Sequence, residues 1–346
     1  MRDVFESTLE KLFTDHASVE TVLSAEREGW LPELWDVIEE SGFALASAPE
    51  ELGGAGASWD DLFSVLLLCG RFSLPLPLPE SLLGNWLLGK CGITALSAPM
   101  SVAAEAQLVW EDGAVSGTLQ QVPWGRYVQQ VVAIVADDAP RVVVMETAAC
   151  SERTLSTNTA GEARDDLVFK HALPKFSAPL INTFATDVLM RGGALVRAAQ
   201  MAGALQEVMR LSSDYVNERV QFGKPIARFQ VVQHQLAVLA EHVAAARVSA
   251  EAACVESTDC LALLPVIAAK ICTSEAAGIG ASSGHALHGA IGFTHEYSLH
   301  LLTRRLWSWR SEYGSATRWS DELGQAVCKT GASGYWPTIT SGALSQ

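Results

Sequence analysis

The sequence predicts a mainly α-helical protein with a β domain in its middle. In the first hundred residues, apolar side chains recur at three- and four-residue spacing, which is typical of amphipathic helices. Between about 101 and 178 the pattern changes to short runs rich in β-branched residues, separated by turn residues. Helical patterns resume near Asn182. We therefore expect a helical domain over 1–100, a small β-barrel or sandwich over 101–178 and a second helical domain over 179–346.

The amino-terminal domain is predicted to contain helices that one glycine-rich turn interrupts. Residues 49–56 read PEELGGAG, and three glycines in this short segment break the helical pattern. Asp60 or Asp61 is expected to begin the next helix, over 62–69, since acidic residues favour a helix start. Alternating prolines over 75–79 are expected to end the helical run.

The β domain is predicted from segments that alternate with Asp-Gly, Asp-Asp and other turn-forming residues. Such short, evenly spaced segments are typical of small antiparallel sheets that close into barrels or pack as sandwiches. The predicted strands cover residues 107–110, 114–122, 131–136, 141–146 and 167–171.

Charge and cysteine content narrow the possible functions. Lys and Arg together number 24 against 39 Asp and Glu, which gives a formal charge of −15. An acidic surface repels nucleic acid and anionic membranes, so we expect neither as a partner. The seven cysteines include no CxxC pair, which argues against a disulfide framework and against a zinc site. We expect reduced thiols in the core and no bound metal.

The amino terminus, MRDVFESTLEKLF, is acidic and amphipathic and lacks the apolar core of a signal peptide. No run of about 18 apolar residues is evident that could span a bilayer. These features predict a cytoplasmic protein.

Residues 215–236, YVNERVQFGKPIARFQVVQHQL, join two apolar helical patterns through a Gly-Pro loop. The first helix is expected to stop near Gly223, and the second to start at about Ala227. Arg219, Gln221 and Phe222 would then face outward at a helix end. A guanidinium forks to phosphate oxygens and an aromatic ring stacks on a planar base, so this trio suits a dinucleotide. Alternatively, Arg219 pairs with a neighbouring carboxylate and Phe222 lies in the core.

The string RVQFGKPIARFQVVQHQLA resembles the acyl-CoA dehydrogenase family, which carries R-x-x-F-G-x-x-I followed by F-Q at this spacing. Residues 49–56 and residues 287–296, LHGAIGFTHE, resemble two further turns of the family in the same chain order. The resemblance implies a helical amino-terminal domain, a small β-barrel and a carboxy-terminal four-helix bundle. It also implies FAD as cofactor and an acyl-CoA thioester as substrate. The residues that this resemblance assigns to cofactor binding are Arg219, Gln221, Phe222, Phe229, Gln230 and Gly289.

The chain departs from the family at the position of the catalytic base. In the commonest family pattern the base is a Glu that directly precedes Gly, and here Tyr313 occupies that place. A phenol, with a reference pKa near 10, is a poor base beside a carboxylate near 4.3. Glu312 is adjacent, but its side chain reaches the site only if the turn rotates. The family's other base position falls near Gly193, so we assign no catalytic residue.

Further departures concern the flavin site. The family's glycine turn reads Q-x-x-G-G-x-G, and here Ala286 and Ala290 replace the Gln and the second Gly. The family's loop T-E-x-x-x-G-S-D, which holds the isoalloxazine, has no counterpart over 94–107. We expect Trp124 to be a core or rim residue. His288 and His295 are expected to be hydrogen-bonded structural histidines.

In the family, the R-x-x-F-G segment of one subunit reaches the flavin of its neighbour. A chain that keeps this segment and lacks the base resembles the non-catalytic subunit of heterotetrameric α2β2 acyl-CoA dehydrogenases in steroid degradation. The resemblance therefore implies a homologous partner subunit and a bulky acyl-CoA, with a steroid-derived thioester as the candidate. Two alternatives stay open. One is a self-sufficient homo-oligomeric dehydrogenase with Glu312 or another carboxylate as base, and the other is a flavin-free scaffold or acyl-CoA-binding module.

Overall fold

A computed structural model describes residues 1–341 of the chain. These residues divide into two compact units. The first comprises Met1–Leu62 and Leu74–Gly193, and the second comprises Phe63–Ser73 and the chain from Ala194 onward. The order of elements is helices, then strands, then helices, as the sequence predicts. The three domain boundaries drawn from the sequence stay a prediction.

Five helices precede the strands, and the starts of the second and fourth carry side-chain caps. The Ser18 hydroxyl accepts a hydrogen bond from the backbone N–H of Thr21, which caps the second helix. Ser58 and Asp61 exchange hydrogen bonds between side chain and backbone at the start of the fourth helix. The helices are α1 (Arg2–His16), α2 (Val19–Glu28), α3 (Pro32–Ser41), α4 (Trp59–Arg71) and α5 (Leu78–Lys90).

Two predictions for this region were wrong in detail. Helix α4 begins after its capping residue Ser58, and Asp61 lies in its first turn as the partner of that cap. The proline alternation ends α4 as expected, but it also introduces α5, because Pro79 occupies the first turn, where a missing N–H costs nothing. Helix α5 is buried almost throughout, so its sequence has no polar face and gives no helical periodicity.

The β region forms two four-stranded sheets. In the first, the order is β1-β4-β5-β8, with β1 and β4 parallel and the other pairs antiparallel. In the second, the order is β2-β3-β7-β6 and all pairs are antiparallel. The strands are β1 (Met100–Val102), β2 (Glu105–Glu111), β3 (Ala114–Pro123), β4 (Gln130–Val135), β5 (Arg141–Glu146), β6 (Glu152–Thr154), β7 (Arg164–Ala172) and β8 (Phe176–Pro179).

The two sheets share one hydrophobic core, as a small barrel or a sandwich requires. Val115 and Phe169 from the second sheet pack in the same cluster as Val131 and Val143 from the first. Pairing between the sheets, which a closed barrel requires, is not observed among residues 1–341. The five predicted strands are present, and β1, β6 and β8 are additional. Trp124 belongs to this core, as expected.

The second unit is mainly helical. It contains most of α6 (Val188–Glu218), and then α7 (Gln230–Glu256), α8 (Leu263–His288), α9 (Leu299–Trp309) and α10 (Ala316–Ser341). The carboxy-terminal end of α4 crosses α6 at two glycines. A Cβ at Gly203 would lie 1.8 Å from the carbonyl oxygen of Leu67, and one at Gly70 would lie 1.9 Å from that of Gln200. This close crossing therefore requires glycine at both positions.

Two expectations about composition need correction. Within residues 1–341, the segment Leu263–Phe293 is long and apolar enough to cross a membrane by length and composition, although half of its most apolar part is buried inside the protein. The core helix of a soluble protein meets the same criterion, so this is weak evidence. The cysteines are not all core thiols, because Cys260 and Cys328 are exposed whereas Cys69 and Cys254 are buried.

Candidate functional site

A tight β-hairpin presents the R-x-x-F-G segment. Strands β9 (Val220–Gln221) and β10 (Lys224–Pro225) pair antiparallel, and Phe222 and Gly223 form the turn with φ of 53° and 79°. Two central residues at positive φ define the turn type whose twist suits a two-residue hairpin. A bulky side chain at positive φ is rare and costs energy, and such strain clusters at functional positions.

The hairpin replaces the helix end expected from the sequence. Helix α6 ends at Glu218 and not near Gly223. After β10, a short 3-10 turn over Ile226–Arg228 leads into α7, which begins at Gln230 and not at about Ala227. The backbone N–H of Ile226 donates to the carbonyl of Arg219 at 2.8 Å and fixes the base of the hairpin.

Arg219 and Phe222 are both exposed, as the dinucleotide interpretation requires. The Arg219 guanidinium makes no ion pair or hydrogen bond with another residue of the described chain, 1–341. The Phe222 side chain is 89% exposed, and its ring lies edge-on to that of Phe229, with ring centroids 6.1 Å apart. The alternative in which Arg219 pairs with a carboxylate and Phe222 is a core residue is therefore not observed.

A groove of about 470 Å³ separates the end of α6 from the glycine turn after α8. Arg219 and Gln221 line one side, and Ala286, Gly289 and Ala290 line the other. Gly289 has φ 64° and ψ −141°, a conformation that is essentially restricted to glycine. The volume lies within the range of about 300–1,000 Å³ that is usual for ligand sites.

The groove brings together three of the six residues predicted to bind the cofactor, namely Arg219, Gln221 and Gly289. The other three lie along the hairpin and the start of α7. Phe222 is at the hairpin turn, Phe229 is half-buried beneath the Lys224 ammonium, which lies 4.5 Å from its ring centre, and Gln230 is exposed. Their roles in cofactor binding stay a prediction.

His288 forms part of the groove wall through hydrogen bonds that sequence reasoning predicted only in general terms. Its Nδ1 lies 2.7 Å from the Gly284 carbonyl, and its Nε2 lies 3.1 Å from the Tyr297 hydroxyl. The ring stacks on Tyr215 with centroids 4.7 Å apart. Burial lowers the pKa of His288, and the hydrogen bond to Gly284 acts in the opposite direction. His295 is exposed, and its ring meets that of His300 with centroids 5.0 Å apart.

The turn between α9 and α10 carries Tyr313 at the position of the family's base. Tyr313 and Gly314 both have positive φ, of 52° and 90°. The indole N–H of Trp319 donates to the Tyr313 carbonyl at 2.9 Å. A Cβ at Gly314 would lie 2.5 Å from that indole nitrogen, so the turn requires glycine there.

Glu312 is held by an ion pair inside the helical unit. Its Oε2 accepts a hydrogen bond from Nε of Arg197 at 2.8 Å, and the Arg197 side chain is only 2% exposed. Arg197 also donates to the side-chain oxygen of Gln200 and lies over the Tyr313 ring, with its guanidinium carbon 5.4 Å from the ring centre. The Glu312 carboxylate is therefore engaged in the ion pair with Arg197, and this arrangement does not support the use of Glu312 as a catalytic base.

Lys270 completes this cluster, and sequence reasoning missed it. It is fully buried on α8, and its ammonium donates to the Trp309 carbonyl at 2.7 Å. Burial lowers the pKa of Lys270 to about 7, while the nearby Glu312 carboxylate acts to raise it. The available signal was a single lysine in the otherwise apolar segment 263–272 at the start of α8.

The residues present fit the phosphate-binding part of a flavin dinucleotide. An exposed arginine without an internal partner can fork to a diphosphate, and the glycine turn opposite leaves room for its close approach. Ala286 and Ala290 supply only methyl groups to this wall, and the polar side chains that line the groove are those of Tyr215, Arg219, Gln221 and His288. Among residues 1–341, no cluster of His, Cys, Asp or Glu could hold a metal ion.

Comparison with known proteins agrees with these features. Residues 184–315 match the family model for the acyl-CoA dehydrogenase carboxy-terminal domain. The acyl-CoA dehydrogenase IpdE2 of Mycobacterium tuberculosis (strain ATCC 25618 / H37Rv) is 29% identical over 309 residues, which cover 88% of this chain and 90% of IpdE2.

Solved structures match the fold over nearly the whole chain. One chain of the ChsE4-ChsE5 complex from Mycobacterium tuberculosis superposes with a TM-score of 0.85 at 20% identity, covering 96% of this chain and 98% of that one. A variant of the Tcur3481-Tcur3483 steroid ACAD gives 0.84 at 22% identity, with 95% and 98% covered. The predicted fold class is thus confirmed, and the carboxy-terminal part of the chain, residues 184–315, belongs to the acyl-CoA dehydrogenase family.

Proposed function

We propose that this chain is the non-catalytic subunit of a heteromeric, FAD-dependent acyl-CoA dehydrogenase, and that its groove completes the flavin site of a homologous partner. The reaction is the α,β-dehydrogenation of a bulky, steroid-derived acyl-CoA thioester, in which the bound flavin accepts the hydride. A cytoplasmic location stays a prediction.

The observation that carries the proposal is the state of the turn between α9 and α10. Dehydrogenation requires a carboxylate that can approach the substrate α-carbon. The position of the family's base holds the phenol of Tyr313, and the neighbouring Glu312 is engaged by the buried Arg197 at 2.8 Å. Freeing Glu312 would leave a buried guanidinium without its counterion, which is costly. In this proposal the base comes from another chain.

The hairpin supports the second half of the proposal. Arg219, Gln221 and Phe222 are all exposed, and the described chain offers the Arg219 guanidinium no internal partner. An exposed arginine beside an exposed aromatic side chain suits a ligand that another molecule brings. The partner would hold the isoalloxazine, while Arg219, Gln221 and the Gly289 backbone would hold the diphosphate.

Relatives support the steroid and heteromeric parts of the proposal. One similar structure is a complex of two named chains, ChsE4 and ChsE5, and another is a steroid ACAD named for two chains, Tcur3481 and Tcur3483. We extend both properties to this chain as part of the proposal, with a homologous subunit as the expected partner.

The test is the flavin absorption spectrum of the chain purified alone and together with the homologue encoded by an adjacent gene. We expect bound flavin only in the pair. Flavin bound by the chain alone would favour a self-sufficient dehydrogenase, and a colourless pair would favour a flavin-free scaffold.

A matched pair of variants then locates the site. Arg219→Ala should lower the flavin content of the pair, because it removes the forked donors that face the groove. Arg228→Ala removes an equally exposed arginine on the neighbouring 3-10 turn and should leave the flavin content unchanged. Equal flavin content in both variants, with both pairs assembled, would contradict the assignment of Arg219.

A further inference from the structure

His288 joins the two walls of the groove. Its ring lies between the carbonyl of Gly284 on its own helix and the hydroxyl of Tyr297 in the following loop, and it stacks on Tyr215 of α6. Tyr215 is one helical turn before Arg219, and all three of His288, Tyr215 and Arg219 line the groove. The imidazole is therefore a titratable group that lines the same groove as the proposed phosphate-binding arginine.

The hydrogen-bond partners define the tautomer of the neutral imidazole. A carbonyl oxygen can only accept, so Nδ1 of His288 carries the hydrogen that goes to Gly284. In the neutral ring, Nε2 then has a lone pair and accepts the hydrogen of the Tyr297 hydroxyl. Burial keeps the ring in this neutral form near pH 7, since it lowers the pKa of His288.

Several ionisable groups surround this pair. His285, on the same helix, disfavours a positive charge on His288. On α6, Asp214 and Glu218 disfavour ionisation of the Tyr297 hydroxyl, while Arg210 favours it. The ionisable groups that act on His288 or Tyr297 include His285, Arg210, Asp214, Tyr215 and Glu218, and Arg219 lines the same groove.

We propose that His288 is a second, proton-dependent group of the diphosphate site, and that its Nε2 takes up a proton from solvent when a diphosphate binds beside Arg219. On protonation, Nε2 becomes a donor. The Tyr297 hydroxyl then accepts from Nε2 and turns its own hydrogen outward. The ring thereby places a second positive charge in the groove wall without breaking its bond to Gly284.

The physical reason is charge balance in a partly enclosed site. Without ligand, burial and the neighbouring His285 oppose a positive charge on His288. A diphosphate brings negative charge to the same wall and removes this opposition, so the protonated form becomes favourable. The methyl groups of Ala286 and Ala290 offer the anion no hydrogen bonds there, so the imidazolium adds charge that the wall otherwise lacks. The inference rests on the proposed function of the groove.

The test uses calorimetric titration of the flavin-free assembled pair with ADP-ribose, whose diphosphate is a diester and does not titrate between about pH 5 and 8. Titrations at about pH 6.5 in two buffers of different ionisation enthalpy give the number of protons taken up. We expect uptake of a fraction of one proton per site, and an affinity that rises as the pH falls. A rise of one unit in the His288 pKa corresponds to about a tenfold gain in affinity at low pH.

Variants separate this inference from the proposed function. His288→Phe keeps an aromatic ring against Tyr215 and should abolish the proton uptake, whereas His234→Phe, at an exposed position on α7, should not. If His288→Phe fails to fold, Tyr297→Phe provides the same test. It removes a donor that stabilises the neutral ring, and so should move the greatest uptake to higher pH.

The outcomes distinguish the role of His288 from the assignment of the groove to a diphosphate. Binding that Arg219→Ala weakens but that takes up no proton would overturn the role of His288 and leave the diphosphate groove standing. Uptake that persists in His288→Phe would also overturn it. A failure of ADP-ribose to bind would overturn both the groove assignment and the inference.

Discussion

Replacement of Lys270 by methionine should change how the stability of the protein depends on pH. Lys270 is fully buried, and burial lowers its pKa from 10.5 to about 7. Methionine keeps a similar chain length and places no charge in the core. Between about pH 7 and 10.5, the free energy of unfolding of the wild type should change with pH. The variant should lack this change.

The sign and size follow from proton linkage. Below about pH 7 the folded and unfolded states both carry the Lys270 proton, so this residue contributes no pH dependence. Between about pH 7 and 10.5 the unfolded state binds more protons, and the stability of the wild type therefore rises with pH. Each pH unit well inside this window adds about 1.4 kcal/mol, so the rise from about pH 7 to pH 9 is about 2 kcal/mol.

The assay is urea unfolding of wild type and Lys270→Met at several pH values between about 7 and 9. The stability of the variant relative to the wild type should be greatest at about pH 7, where the charged amine destabilises the folded wild type. This relative stability should fall by about 2 kcal/mol by about pH 9. The variant also loses the hydrogen bond from Lys270 to the Trp309 carbonyl, which contributes a stability difference that does not depend on pH.

The control is Lys329→Met, which removes an exposed lysine on α10. It should leave the pH dependence of the wild type unchanged. A constant stability difference between wild type and Lys270→Met across this pH range would refute the reasoning, because it would mean that Lys270 titrates alike in both states.

Three further predictions concern the turn between α9 and α10. Glu312→Gln should lower the free energy of unfolding by about 3 kcal/mol, because it removes the carboxylate that pairs with the buried Arg197. Turnover of the assembled pair should stay within about tenfold of the wild-type value. A thousandfold loss with intact flavin binding would make Glu312 the base. Gly314→Ala should cost about 2 kcal/mol in denaturant unfolding, because its Cβ would meet the Trp319 indole at 2.5 Å. Tyr313→Phe keeps the ring over Arg197 and should change turnover by less than about tenfold.

The sequence predicts those parts of the fold that have a clear local period. Strands β2 to β5 and β7 have five or more residues, and all were expected, whereas β1, β6 and β8 have three or four residues and too little pattern to detect. Helix α5 was missed for the opposite reason, because it is buried almost throughout and lacks a polar face.

The candidate site divides in the same way. Arg219, Gln221 and Gly289 could be assigned from the resemblance, and the structure brings them to one groove. The hairpin beside Arg219 and Gln221 could not be predicted, because a bulky side chain such as that of Phe222 rarely adopts positive φ. The pairing of Arg197 with Glu312 spans 115 residues, and no local pattern encodes a contact of that separation.

The hairpin between α6 and α7 also determines how the isolated chain should behave during preparation. Phe222 is 89% exposed, and Val220 and Val231 nearby in the sequence are 57% and 67% exposed. Apolar side chains grouped in this way promote nonspecific association when no partner covers them. We therefore expect the chain to aggregate when it is produced alone and to be recovered in good yield only by co-expression with its partner.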